Sequence, residues 1–288
     1  MKAIAAFAMR GRFHALALTV AGSGSILFCW ISAAILALVT LRKGVGNGAQ
    51  LLLWALLPSG VLLYAVGDSG PISLLLGTYL LAAVLRTTVN LPLAVLSSVA
   101  VGTLSGLALL VFASGYLEQM LTVFGNFLGS LEQELSRDAQ QAVEFARPTA
   151  SQVAGLMGAG TSMMAILCLL LGRYWQAALY NPGGFGGEFR ALRYPPVPAL
   201  AMVVIAVALS SLGVEYRTWA MIALMPLNFA GLALVHARAK QRGSGQFWMT
   251  VFYLAWLLLD PMKLLVVLVA VADSLLDFRR RWKWDGGN

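Results

Sequence analysis

Residues 151–172 read SQVAGLMGAGTSMMAILCLLLG, 22 consecutive positions without a charged side chain. A run of that length rises about 33 Å as α-helix, enough to cross a hydrocarbon core of about 30 Å. In lipid only helices and closed barrels satisfy every backbone N–H and C=O internally, and the run lacks the period-two alternation of a barrel strand. Its first half carries Gly155, Gly158, Gly160, Thr161 and Ser162, small residues that let membrane helices approach closely. The rest of the chain has the same character. Of 288 residues, 59% are hydrophobic and 11% charged, with a mean hydropathy of +0.79; a soluble domain carries about 25% charged residues. The expected fold class is all-α: one integral domain over residues 1–288, a polytopic transmembrane bundle of about 8–10 hydrophobic segments with one extramembrane amphipathic helix.

Outward from this run, residues 49–66, 71–85 and 91–113 are three further spans within 49–114, and 197–212 and 219–235 complete the region 151–237. Between them the pattern changes. In segment 115–150, Leu117, Met120, Leu121, Phe124, Leu128, Leu131 and Leu135 recur at three and four, one face of an amphipathic helix. Its charges are acidic on balance: Glu118, Glu132, Glu134, Asp138 and Glu144 against Arg137 and Arg147. Sixteen of the twenty Lys and Arg fall at the chain ends or in loops 42–43, 86, 173–193 and 236–242, which orients those loops and both termini to the cytoplasm. The acidic segment then lies outside. Two apolar blocks resist a simple count. Residues 13–41 are interrupted by small residues at 21–25, and residues 247–276 by Asp260-Pro261; each has basic flanks on both sides. The first, within 1–48, reads as a hairpin or re-entrant pair; the second, within 247–288, as a kinked or paired segment with a basic tail.

The net charge of +8 comes from basic residues at block ends, where topology signals belong, so no nucleic-acid partner is expected. Cys29 and Cys168 lie inside apolar blocks and form no metal or disulfide pattern. There is no Gly-x-Ser-x-Gly, no His-Glu-x-x-His and no phosphate-binding Gly-x-x-x-x-Gly-Lys loop, so neither an enzyme, a cofactor nor an intrinsic ATPase is expected. Ionisable residues within apolar blocks are the first functional candidates, because burying them costs several kcal/mol unless they pair. Asp260 and Lys263, three apart around Pro261, are positioned to form such a pair. Asn228 is a second buried polar candidate. Asp273 and Asp277 precede an arginine run, and Asp277 is expected to pair with Arg280 or Arg281; His236 reads as part of a positive loop and His14 as structural. The loop 173–196 holds the remaining candidates, Trp175, Asn181, Phe185 and Arg190. In it Arg173, Tyr174 and Trp175 read as interface anchors, Asn181-Pro182-Gly183-Gly184 as a turn, and residues 185–193 as a membrane-hugging segment that connects or docks.

Three motifs carry a resemblance: RYWQAALYNPGGF from Arg173, LVTLRKG from Leu38 and DSLLDFRR from Asp273. Together they resemble the YybS-like family of bacterial membrane proteins of unknown function, whose hydrophobic layout is similar to the S components of energy-coupling-factor transporters. The resemblance implies a protein of the bacterial cytoplasmic (inner) membrane that binds a small molecule and works with a membrane coupling subunit and ATPases. The alternative is a non-transport scaffold or regulator that docks another membrane or cytoplasmic protein through loop 173–196. The lipid bilayer is a partner in either case.

Overall fold

The computed structural model describes residues 2–138, 144–243 and 245–282. Among them are fifteen α-helices and no strand: α1 (Lys2–Met9), α2 (Arg12–Ser23), α3 (Cys29–Lys43), α4 (Val45–Val66), α5 (Gly70–Thr88), α6 (Leu91–Leu96), α7 (Ser98–Phe112), α8 (Ser114–Asp138), α9 (Ala150–Tyr180), α10 (Gly184–Arg190), α11 (Pro196–Ser211), α12 (Arg217–Arg242), α13 (Gln246–Leu258), α14 (Asp260–Leu276) and α15 (Phe278–Arg281). A 3₁₀ turn at Val214–Tyr216 leads into α12. The fold is an all-α helical bundle. Among the described residues five stretches are long and apolar enough to cross a membrane, α4, α5, the joined α6–α7, α9 and Val214–Arg242, and the bent pair α13–α14 makes a sixth if it counts as one span. The chain is a multi-pass membrane protein. The sixth expected span, α11, has 16 residues and rises only about 24 Å.

The interrupted first block resolves into α2 and α3. Gly22 faces Ser32 at one end, while Arg12 and Lys43 line one cleft at the other, so the two helices form an antiparallel hairpin. Ser59 of α4 closes the break by donating to the Ser23 carbonyl at 3.0 Å. The hairpin is too short to span: α2 has 12 residues and rises about 18 Å. Yet α3 is the most central helix, buried without interruption from Ser32 to Leu41. Small residues make this possible. A Cβ on Gly172 of α9 would sit 2.9 Å from the Ala34 carbonyl oxygen, and one on Gly48 of α4 would sit 2.9 Å from Thr40 Cβ. The α7–α9 contact is built the same way, with Gly102 and Gly158 backbone to backbone and Ser162 donating to the Ser98 carbonyl at 3.0 Å.

The acidic segment forms α8, with Leu117 buried and Val123, Phe124 and Phe127 exposed. Arg147 folds back to pair with Glu132 at 2.6 Å, and part of the segment, 139–143, lies outside the described residues. A capping box of Thr149 and Gln152 then starts α9. This helix does not stop at Gly172, where the uncharged run ends, but continues through Arg173 and Trp175 to Tyr180. The turn at Asn181-Pro182-Gly183 ends it, with Gly183 at φ +90°, a conformation that costs glycine little.

The second interrupted block is bent by 111° between α13 and α14. Leu259 at the break is extended, and Pro261 falls in the first turn of α14, where its missing N–H costs no helical hydrogen bond.

Candidate functional site

The bent pair α13–α14 lies over a trough walled by α9 and α12. On α9, Leu156, Gly160, Met163, Leu167, Leu171 and Tyr174 recur every three or four residues and form a single stripe. On α12, Met221, Met225, Asn228, Leu232 and His236 do the same. Between these stripes and the bent pair lie two adjoining cavities of about 680 Å³ and 520 Å³ that share Met163, Trp256 and Lys263. Each is within the size range of small-molecule sites, roughly 300–1,000 Å³. The lining is mostly hydrocarbon and aromatic, with a few polar groups at set depths.

Two hydrogen bonds hold α13 to α12 across this space. His236 Nε2 and the Tyr253 hydroxyl are 2.6 Å apart, and Trp256 Nε1 donates to Asn228 Oδ1 at 3.1 Å. At the bend, Lys263 Nζ donates to Asp260 Oδ1 at 2.7 Å, with Asp260 90% exposed. One end of the trough is floored by α10. Phe185 stacks on Phe189, Tyr174 meets Phe185 edge-on, and Phe189 meets His236 edge-on.

Beneath that floor an ion-pair network fixes α10 and the loop that follows. Arg279 is buried and pairs with buried Asp273 at 3.1 Å. It also donates to the carbonyls of Arg190 and of Leu192, the latter at 2.7 Å. Arg193 pairs with Asp277 at 2.7 Å, and Arg173 with Glu188 at 2.7 Å. The Arg193 hydrogen bond holds the Asp277 carboxyl below its ordinary pKa, and burial lowers that of Arg279 against the opposing pull of Asp273. Tyr194, buried and donating to the Pro92 carbonyl at 3.0 Å, has its phenol raised by the same desolvation.

Lys263, Asn228, Phe185 and Arg190, read separately in the sequence, line this one pair of cavities, and Asp260 is the partner of Lys263. Asn181 stays exposed in its turn. Trp175 is 1% exposed, packed in the core around α3 rather than at a lipid–water boundary. Asp277 takes Arg193 instead of the expected Arg280 or Arg281 side chain. Its left-handed conformation, φ 50°, turns the chain and leaves its other contact to the Arg280 backbone N–H. His236 belongs to α12, not to a loop, since that helix runs on to Arg242. Tyr253 and Trp256 complete the site beyond the sequence candidates, and their signal in the sequence is polar-tipped aromatics three apart in an apolar block. No group of three or more His, Cys, Asp or Glu able to hold a metal occurs among the described residues. Comparisons with family models, with curated proteins and with solved structures found no match.

Proposed function

We propose that this protein is a membrane-embedded binding subunit that takes a small, largely apolar molecule into the trough between α9, α12 and α13. The observation that carries this reading is the pair of adjoining cavities joined at Met163, Trp256 and Lys263. Apolar walls supply affinity by burial, and sparse polar groups set orientation. The resemblance to the YybS-like family, with its S-component-like layout, supports a transport-associated role in a bacterial cytoplasmic membrane, with both termini on the cytoplasmic side and energy coming from a coupling subunit and its ATPases.

The competing reading is a scaffold that docks a partner through loop 173–196. It draws less support, because that loop spends its side chains on its own chain. Trp175, Leu192 and Tyr194 are buried, and Arg173 and Arg193 are paired.

Gly160 provides the test. Nothing lies within 4 Å of where its Cβ would be, so Gly160→Phe fills the trough without a backbone clash. Native mass spectrometry of the protein from mild detergent is expected to show a small molecule retained by the wild type and lost from Gly160→Phe. Equal retention by both would overturn the cavity as the site. A stable protein partner with no small molecule in either would favour the scaffold.

A further inference from the structure

Four arginines gather at the α10 end of the trough, and three of them are matched. Arg173 has Glu188, Arg193 has Asp277, and Arg279 has Asp273. Arg190 is the exception. Among the described residues no carboxylate lies within ion-pair distance of it, and its Nε is buried with no hydrogen-bond partner. A guanidinium partly withdrawn from water without a counter-charge is costly, and the backbone that carries this one is held in place. Arg279 donates to its carbonyl, and its Nη1 would lie 3.0 Å from a Cβ at Gly186, so the absence of a side chain there gives it room. It borders the larger cavity, next to His236 and Tyr253.

Elsewhere the trough is mostly hydrocarbon and aromatic, and its other polar groups are engaged: Lys263 with Asp260, Asn228 with Trp256 and His236 with Tyr253. From Leu156 to Tyr174 the lining stripe of α9 covers nineteen residues, eighteen helical steps or about 27 Å, close to the depth of a bilayer core. It is also open along its side. Leu156 and Leu167 of α9 and Leu257 of α13 are 55%, 44% and 63% exposed, an opening that faces lipid in a membrane-spanning bundle.

We infer that the trough, granted the binding role proposed above, receives a long-chain amphiphile with a terminal oxyanion, its head on Arg190 and its chain laid between α9 and α12 beneath α13. The planar guanidinium matches a carboxylate or a phosphate through two parallel charge-assisted hydrogen bonds. A neutral head of the same size leaves the charge uncompensated. Selectivity therefore lies at one end of the ligand and affinity along its length.

The test uses the full chain in a non-ionic detergent and three probes with one hydrocarbon chain: oleate, oleyl phosphate and oleyl alcohol, each measured by equilibrium binding. Wild type is expected to bind at least one anion about tenfold or more tighter than the alcohol. The tighter of the two anions identifies the head as carboxylate or phosphate. Arg190→Gln should bring anion and alcohol within about twofold, chiefly by weakening the anions, and Arg190→Lys should retain part of the preference. Gly160→Phe should weaken all three probes. Wild type binding the alcohol as tightly as both anions, or Arg190→Gln keeping the preference, would overturn the oxyanion inference while leaving the cavity intact. Gly160→Phe binding all three like wild type would instead remove the cavity itself. Melting curves of each variant identify any that fail to fold, in which case Arg190→Lys against wild type decides.

Discussion

The two interrupted apolar blocks have the same sequence marks, basic flanks and a break within, but α2–α3 is drawn into the core of the bundle whereas of the second block only α14 enters it, with Val266 against Gly231 of α12, and α13 lies across the side. The difference follows side-chain size at the contacts. Along α3 the residues facing neighbours include Ser32, Ala33, Ala34, Ala37 and Thr40, and the neighbours present Gly22, Gly48 and Gly172. Backbones come together, and no room remains. Along α13 the contacts are Phe252, Tyr253 and Trp256, rings that hold the helix away from α9 and α12. Only Phe252 on that helix is buried. Small residues turn a broken span into core; large amphipathic rings turn one into the wall of a cavity. In the second block α13 relies on two polar anchors to α12, and the arginine network fastens the far end of α14, whereas α14 itself shares with the first block a reliance on dispersion and close fit.

The comparison breaks most visibly at the anchor of the second block. Asp273→Asn leaves Arg279 buried without its counter-charge and should cost about 3–5 kcal/mol, read as loss of monodisperse protein in detergent or a large drop in thermal midpoint. Next is the tight block. Gly172→Leu must push against the Ala34 carbonyl and is expected to cost about 1–3 kcal/mol or more, while Gly160→Leu, on the same helix but facing the trough, should leave the midpoint nearly unchanged; equal losses would mean that the two regions do not differ in packing. Smaller still, Asn228→Leu removes the acceptor for Trp256 and should destabilise by about 1 kcal/mol, with faster hydrogen exchange confined to α13. The smallest effect is in pH. Because the native Asp277 carboxyl is held below its ordinary value, the unfolded chain takes up this proton first, so its contribution is complete above the ordinary carboxylate range and fades as pH falls through the lowered native value. Asp277→Asn should flatten the acid limb of a stability–pH curve slightly, and an unchanged limb would place acid sensitivity elsewhere.

Uncharged runs such as 151–172 made the membrane-bundle class legible, since length and charge alone decide it. Breaks at Pro and Gly were legible for a similar reason: at 182–183 and 260–261 the backbone chemistry is local. What was not legible depended on distance in sequence. The continuation of α9 to Tyr180 was hidden because Arg173 looks like the end of a span, although arginine, tryptophan and glutamine are all compatible with helix. Asp277 reads locally as a partner for the arginines three and four residues on, but Arg193 arrives from 84 residues upstream, brought by the loop after α10. His236 needed the observed length of α12 to be seen facing inward. The convergence of Asn228, Lys263, Phe185 and Arg190 required three elements to fold back at once, which no single window of sequence contains.

Arg279 has a consequence for the order of synthesis. The carbonyl it satisfies at Leu192 belongs to a residue made 87 positions earlier, so at about 5–20 residues per second the ribosome has moved on for roughly 4–17 s before the donor exists. During that interval α10 and its loop wait at the membrane with their final fastening not yet made. A message that stops just short of codon 279 yields a chain with all its hydrophobic segments made and the Arg190 and Leu192 carbonyls left without their donor.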